Sequence, residues 1–189
     1  LFKLIICVPS SLVSIAVMRV LEEEFDFDAN NKRISFYAGH SLGEYTALAA
    51  AKSISISDTA KILSFRGKSM QQSSSGVNTS MAAFMGADLT KIEDIVSKSI
   101  KKNEVCDIAN YNTETQIVLS GDDSAINRSI SLANELKIRT VKLEVSAPFH
   151  SNYMKNTASA LKDQFDKISF KLPQIQIVSN FHALPFKDT

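Results

Sequence analysis

Ile34-Ser35-Phe36-Tyr37-Ala38-Gly39-His40-Ser41-Leu42-Gly43-Glu44-Tyr45-Thr46-Ala47-Leu48-Ala49-Ala50-Ala51 places a serine between two glycines where one pattern gives way to another. Residues 34–38 are short, aromatic and β-branched, the composition of a strand, and residues 44–51 are strong helix formers. The chain must therefore reverse sharply across Ser41. Such an elbow projects Oγ out of the sheet, and the spacing predicts that Gly39 and Gly43 are the Cβ-free neighbours the tight turn requires. The helix start also aims backbone N–H groups and the positive end of a dipole at any oxyanion formed beside the serine. That is the place for a nucleophile.

Composition bounds what surrounds it. With 189 residues, 44% hydrophobic and 22% charged, the chain has room for one sizeable core or for a core plus a small inserted domain. A formal charge of +1 gives no surplus with which to bind nucleic acid or an anionic membrane surface, and neither partner is expected. Cys7 and Cys106 are too few for a disulfide scaffold and lack metal-ligand spacing, so the expectation is a reducing cytoplasm and no metal site. Residues 1–21 are apolar, yet Lys3, Pro9, Ser10, Ser11, Ser14 and Arg19 interrupt them; they read as a buried strand and helix rather than a signal or anchor. The chain does not begin with Met, which points to a start elsewhere.

Further along, Ser57-Asp58 reads as a helix start, with Ala60, Leu63, Gly67 and Met70 on one face. The Ser- and Gln-rich stretch 71–80 reads as a loop and a domain boundary. Beyond it, 81–85 reads as strand, 90–100 as helix, 105–109 and 116–120 as strands, 122–136 as a helix capped by Asp122 or Asp123, and 140–145 as a half-buried strand. That order is βαββαβ, the pattern of a ferredoxin-like unit. Met154, Ala158, Leu161, Phe165 and Ile168 then recur at helical spacing, and 175–178 is a strand that can return to the main sheet.

A serine hydroxyl needs a base. Adjacent residues on a tight elbow point apart, so His40 reads as a packing or pocket-lining group, and His182, without flanking signals, reads as a surface histidine. His150 lies in Ser146-Ala147-Pro148-Phe149-His150-Ser151, between a strand and a helix, where active-site loops occur. On position alone it is either the base or a structural histidine. Arg66 falls on the apolar face of its helix, three residues after Leu63 and four before Met70. It can snorkel outward, pair with a structural carboxylate, or grip a ligand carboxylate bidentately.

Gly39-His40-Ser41-Leu42-Gly43-Glu44-Tyr45, then Arg66-Gly67 with Met70-Gln71, then Asn110-Tyr111-Asn112 with Gln116-Ile117-Val118-Leu119-Ser120-Gly121, then the 146–151 segment occur in this order across nearly all of the chain. Together they resemble the malonyl-CoA:acyl carrier protein transacylases of fatty-acid synthesis. The resemblance implies an α/β fold: an α/β-hydrolase-like large subdomain, here 1–78 and 147–189, with an inserted ferredoxin-like small subdomain, 79–146. It implies an acyltransferase that needs no cofactor and uses malonyl-CoA and acyl carrier protein as its partners. Ser41 would be acylated, His150 would be its base, and the Leu42 N–H would donate to the oxyanion. Arg66 would hold the malonyl carboxylate, with His40, Met70 and Asn110 in or near the pocket, and Phe149 resembles the malonyl-selecting members.

Members of that family open with a Gly-Gln-Gly segment that does not precede Leu12 here, and they continue past this chain's last residue. The resemblance thus implies a member shortened at both ends. Two other readings share the motifs. A serine esterase or thioesterase would pass the acyl group to water and have no need of Arg66; a non-catalytic remnant would keep the fold without turnover.

Overall fold

A computed structural model describes residues 7–25, 27 and 34–186. They divide into two compact units, Leu1–Gly67 with Leu161–Thr189, and Lys68–Ala160.

In the first unit, α1 (Cys7–Glu24) and α2 (Leu42–Ala50) pack together, and α3 begins at Ile56 and runs to Gln72. The small side chains of α2 set this arrangement. Ala49 and Ala50 let α1 approach closely enough for Ile15 to bury against Ala49 and Ile54, while Ser11 and Thr46 share a hydrogen bond of 2.8 Å. Ala47 and Ala51, on another side of the same helix, bury against Ile177. Ile177 belongs to β6 (Gln176–Ile177), which pairs in parallel with β1 (Phe36–Tyr37). The strand expected over 34–38 is thus regular at two residues only, because β6 offers a partner of the same length.

Two expectations need correction here. The helix within 1–21 is present, but α1 buries only a narrow stripe through Ser11 and Ile15; Leu12, Val13, Val17 and Val20 are exposed. The strand expected before it lies outside the described residues. Helix α3 also starts at Ile56, one residue before the Ser57-Asp58 start. Ser55 receives the Asp58 N–H at 3.0 Å and donates its hydroxyl to the Asp58 carboxylate at 2.8 Å, so Asp58 closes the first turn from within it.

The second unit is regular. Its elements are β2 (Thr79–Met85), α4 (Leu89–Ser99), β3 (Cys106–Thr113), β4 (Gln116–Asp122), α5 (Asp123–Glu135) and β5 (Arg139–Lys142), the βαββαβ order read from the sequence. The sheet runs β3-β4-β2-β5, and all neighbours are antiparallel. Alternation explains its burial. Ala82 and Phe84 of β2 and Ile117 and Leu119 of β4 face α4 and α5, meeting Ile92, Ile95, Ala125 and Ile126. Met81, Ala83 and Val118 face the other way, against Ala109, Leu143, Val145 and Phe149. Both faces of β2 and β4 are covered, so their burial is continuous rather than alternating. Gly121 is obligatory in this sheet, since a Cβ there would lie 2.0 Å from the Val105 carbonyl oxygen.

Asp122 occupies the N-cap position of α5, as expected, but its side chain makes no capping bond. It is committed elsewhere: its carboxylate accepts from the Val105 N–H at 2.6 Å and from the Tyr153 hydroxyl at 3.0 Å. A 3-10 turn over Asn152–Met154 leads into α6 (Lys155–Phe165).

Candidate active site

Ser41 sits between β1 and α2 with φ 54° and ψ −108°, a left-handed conformation that L residues other than glycine adopt sparingly. The two flanking glycines do different work. A Cβ on Gly39 would lie 2.0 Å from the carbonyl carbon of Gly43, so this position admits no side chain. Gly43 faces open space, and the expectation that both glycines are needed for the turn is corrected to Gly39 alone. The close approach is closed by hydrogen bonds from Gly43 N to the His40 carbonyl at 2.9 Å and from Glu44 N to the Ser41 carbonyl at 3.2 Å. Leu42, the first residue of α2, carries one of the N–H groups that a helix start leaves without an intrahelical acceptor.

Although it holds the N-cap position of α2, Ser41 does not spend its hydroxyl on capping. Its Oγ instead accepts a hydrogen bond from Arg66 Nη2 at 2.9 Å. Arg66, on α3, is 8% exposed, and its guanidinium carbon lies 5.7 Å from the centroid of the Tyr45 ring, in cation–π range. Tyr45 in turn stacks on Phe165 at 6.1 Å with the rings 16° apart. Of the three roles open to Arg66 in the sequence, outward snorkelling is excluded by its burial. An aromatic face thus lies under the guanidinium that reaches Ser41 Oγ.

Asn180 was not a sequence candidate, and it holds the elbow from outside. Its Oδ1 accepts the Ser41 N–H at 2.8 Å, its Nδ2 donates to the Gly39 carbonyl, and its own N–H reaches Glu44 Oε1 at 3.2 Å. An asparagine following a short strand reads as an ordinary turn residue. Its side-chain partners are 139 and 141 positions away, beyond any local signal.

His150 belongs to the second unit. It is exposed, and its backbone also lies in the left-handed region at φ 59°. The segment around it is well tied. Ser146 exchanges hydrogen bonds with the Gln71 side chain at 2.9 and 3.2 Å, and Ser151 Oγ donates to the Pro148 carbonyl at 2.7 Å. Asp107 of β3 accepts from the Asn152 backbone N–H at 2.6 Å and from its side-chain amide at 3.0 Å. Beside it, Tyr153 has its phenol raised above the usual range, first by burial and then by its hydrogen bond to Asp122. Neither Asp107 nor Tyr153 was a sequence candidate, and Asp122 was read only as a helix cap; their partners lie far off in the sequence, beyond any local pattern.

Ser41, Leu42, His40 and Arg66 therefore share the first unit; His150, Met70 and Asn110 belong to the second. His40 is exposed, Met70 is buried, and Asn110 is half-buried at a register shift between β3 and β4. His182 is exposed, edge-on to Phe181 at 4.9 Å. Cys106 is a buried free cysteine whose thiol burial pushes up. Among the described residues no group of His, Cys, Asp and Glu could hold a metal ion, and no helix is long and apolar enough to cross a membrane.

The sharp turn at Ser41, with the Arg66 guanidinium on its Oγ, lies within residues 13–186, which match the family model described as the acyl transferase domain. The chain belongs to that family. It is 36% identical over 149 residues to the malonyl CoA-acyl carrier protein transacylase of Bacillus subtilis, an alignment that covers 78% of this chain and 47% of the relative. The crystal structure of acyl-carrier-protein-S-malonyltransferase from Bartonella henselae superposes with a TM-score of 0.90 at 36% identity, covering 98% of this chain and 59% of that one. A complex of a type II PKS acyl-carrier protein with its malonyl-transacylase matches with a TM-score of 0.89 at 27% identity, covering 98% of this chain and 59% of that one. The chain spans about half the length of the curated relatives it matches.

Proposed function

We propose that the chain carries the acyl-transfer machinery of a malonyl-CoA:acyl carrier protein transacylase of fatty-acid synthesis, working without a cofactor in the cytoplasm. In this reading residues 1–78 and 147–189 form the α/β-hydrolase-like subdomain, and residues 79–146, which hold the βαββαβ sheet, form the inserted ferredoxin-like one. His150 takes the Ser41 proton as Oγ attacks the malonyl thioester carbonyl. The Leu42 N–H donates to the resulting oxyanion, and CoA leaves as its thiol after receiving that proton. In the second half, the phosphopantetheine thiol of acyl carrier protein gives its proton to His150 while sulfur attacks the malonyl ester. Ser41 departs with the proton, and the cycle closes. His40, Met70 and Asn110 are assigned to the pocket around the acyl group.

The observation that carries this reading is the Arg66 guanidinium at 2.9 Å from Ser41 Oγ. A malonyl ester places a carboxylate one methylene beyond its carbonyl carbon, within reach of a fork that already touches Oγ; an acetyl ester offers that fork nothing. Incubation with malonyl-CoA should leave a malonyl ester on the peptide containing Ser41, absent in Ser41→Ala and suppressed in His150→Ala. Arg66→Ala should lower kcat/KM for malonyl transfer by about 2–4 kcal/mol and leave acetyl transfer unchanged or improved. Label on Cys7 or Cys106 would reject the nucleophile. Equal losses for malonyl and acetyl groups would make Arg66 structural, and free malonate without labelled carrier would mark an esterase.

A further inference from the structure

The Ser41 backbone conformation is unfavourable by about 1–2 kcal/mol for an L residue, so it persists only where surrounding bonds over-determine it. Local bonds alone do not span it. Gly43 N and Glu44 N close the turn on its helix side, while the peptide groups preceding Ser41 carry the Gly39 carbonyl and the Ser41 N–H, which the α2 ladder does not use. Asn180 takes both. Its side-chain orientation follows from chemistry, because an N–H can meet only Oδ1 and a carbonyl only Nδ2.

Asn180 is itself delivered by a fixed scaffold. Val178 N donates to the Tyr37 carbonyl at 2.9 Å, extending the β1–β6 pairing by one residue and carrying the chain alongside the elbow. Residues 178–186 then fold back on themselves. Ser179 N donates to the Leu184 carbonyl at 2.9 Å, Ala183 N to the Ser179 carbonyl at 2.9 Å, and Phe186 N to the Ile177 carbonyl at 3.0 Å, while Ser179 Oγ accepts from Phe181 N and His182 N. The Asn180 N–H is spent on Glu44, in the first turn of α2. One residue on a closed turn thus grips the elbow before and after the serine.

We propose that Asn180 is a positioning residue for acyl transfer: by fixing the two peptide groups before Ser41, it holds Oγ and the Leu42 N–H in the geometry that the reaction needs. The inference rests on the acyl-transfer reading above. It leaves the chemistry to Ser41 and His150.

The test measures malonylation of Ser41 in the wild-type chain, Asn180→Ala and Asn180→Asp, together with phosphonylation of Ser41 by a fluorophosphonate, which needs the nucleophile but no malonyl group. Asn180→Ala should slow malonylation at saturating malonyl-CoA by about ten- to a hundredfold with little change in KM, the loss expected from a nucleophile displaced by a fraction of an ångström to an ångström. Asn180→Asp supplies a variant with a distinctive signature. Its carboxylate opposes the Gly39 carbonyl, whereas its protonated form regains one donor and one acceptor, so its deficit relative to wild type should narrow as pH is lowered. A merely structural residue would not produce that profile. Malonylation at the wild-type rate in Asn180→Ala, or an Asn180→Asp deficit constant with pH, overturns the proposal. If wild type accepts no malonyl group but its phosphonylation is slowed in Asn180→Ala, the malonyl reading fails and the positioning role stands. Where Ala costs the fold, Asn180→Asp and amide hydrogen exchange of the 39–44 peptide decide, with faster exchange in the variant expected and unchanged exchange overturning it.

Discussion

Ser41 and His150 both lie in the left-handed backbone region, at φ 54° and 59°, yet the two units hold them by different means. Around Ser41 the sheet is slight, two two-residue strands beside helices joined in small clusters built on alanines, and the hydrogen bonds come from Asn180 and Arg66, distant in sequence. Around His150 the anchors are carboxylates on a four-stranded sheet whose two faces are both packed. Positive φ alone does not mark a catalytic residue, since Lys52, Asn103 and Lys137 share it at ordinary turns. What sets Ser41 apart is the convergence of side chains from elsewhere on its backbone and Oγ. The candidate nucleophile is held by a few polar bonds from distant residues, whereas the loop of the candidate base is tied to a packed sheet.

If the units differ in this way, truncating their cores should cost different amounts. Phe84 is fully buried among Ile92, Ile95, Ile117 and Leu119, and Phe84→Ala should lower stability by about 3–5 kcal/mol. Ile15, in a cluster of three buried residues, should cost about 2 kcal/mol on truncation to Ala. Urea unfolding of both variants, followed by hydrogen exchange to assign the loss to its unit, checks the order. A larger loss for Ile15→Ala would mean that the sheet is not the better-consolidated part.

The elbow offers a sharper contrast between neighbours. Gly39→Ala forces a methyl against the Gly43 backbone at 2.0 Å and should cost about 1–3 kcal/mol of stability, with acylation falling as the turn distorts. Gly43→Ala adds its methyl to open space inside α2, where alanine is the better helix former by about 1 kcal/mol, and should be neutral or stabilising. Thermal unfolding of the pair decides. Equal destabilisation would mean that the turn depends on both glycines after all.

The same contrast explains what could be read beforehand. The second unit was legible because β2 and β4 are short apolar runs and α4 and α5 carry a helical apolar period, and those signals are written locally. The elbow was legible as a local string as well. Asn180 was not, because its meaning lies in partners 139 and 141 residues away. Nor was the commitment of Asp122 to Val105 and Tyr153, since the same residue is also a plausible helix cap and sequence alone does not arbitrate between two uses of one carboxylate. The exposure of Leu12, Val13, Val17 and Val20 escaped notice for a related reason: apolar composition marks a residue as able to be buried, not as having a neighbour to bury it.

The smallest effect distinguishes the two units by their electrostatics. Asp58, in the first turn of α3, and Asp123, in the first turn of α5, both titrate below the ordinary carboxylate range. For Asp58 the leading cause is the Ser55 hydroxyl; for Asp123 it is the hydrogen bond from Lys142, whose ammonium lies 2.6 Å from its Oδ1. A carboxyl whose folded value is depressed binds fewer protons folded than unfolded. The stability it contributes is therefore present above its unfolded value, near 3.8, and is lost as pH falls through the lower folded one. An exposed pair such as Asp123–Lys142 contributes no more than about 1 kcal/mol, and salt screens it. Lys142→Met should therefore raise the Asp123 midpoint in a carboxyl-resolved NMR titration, and molar salt should raise it in the wild type. Ser55→Ala should raise Asp58, whose hydroxyl bond is less sensitive to salt. If salt moves Asp58 as far as Asp123, ion pairing rather than the Ser55 cap holds the first turn of α3, and the first unit is no more dependent on neutral polar bonds than the second.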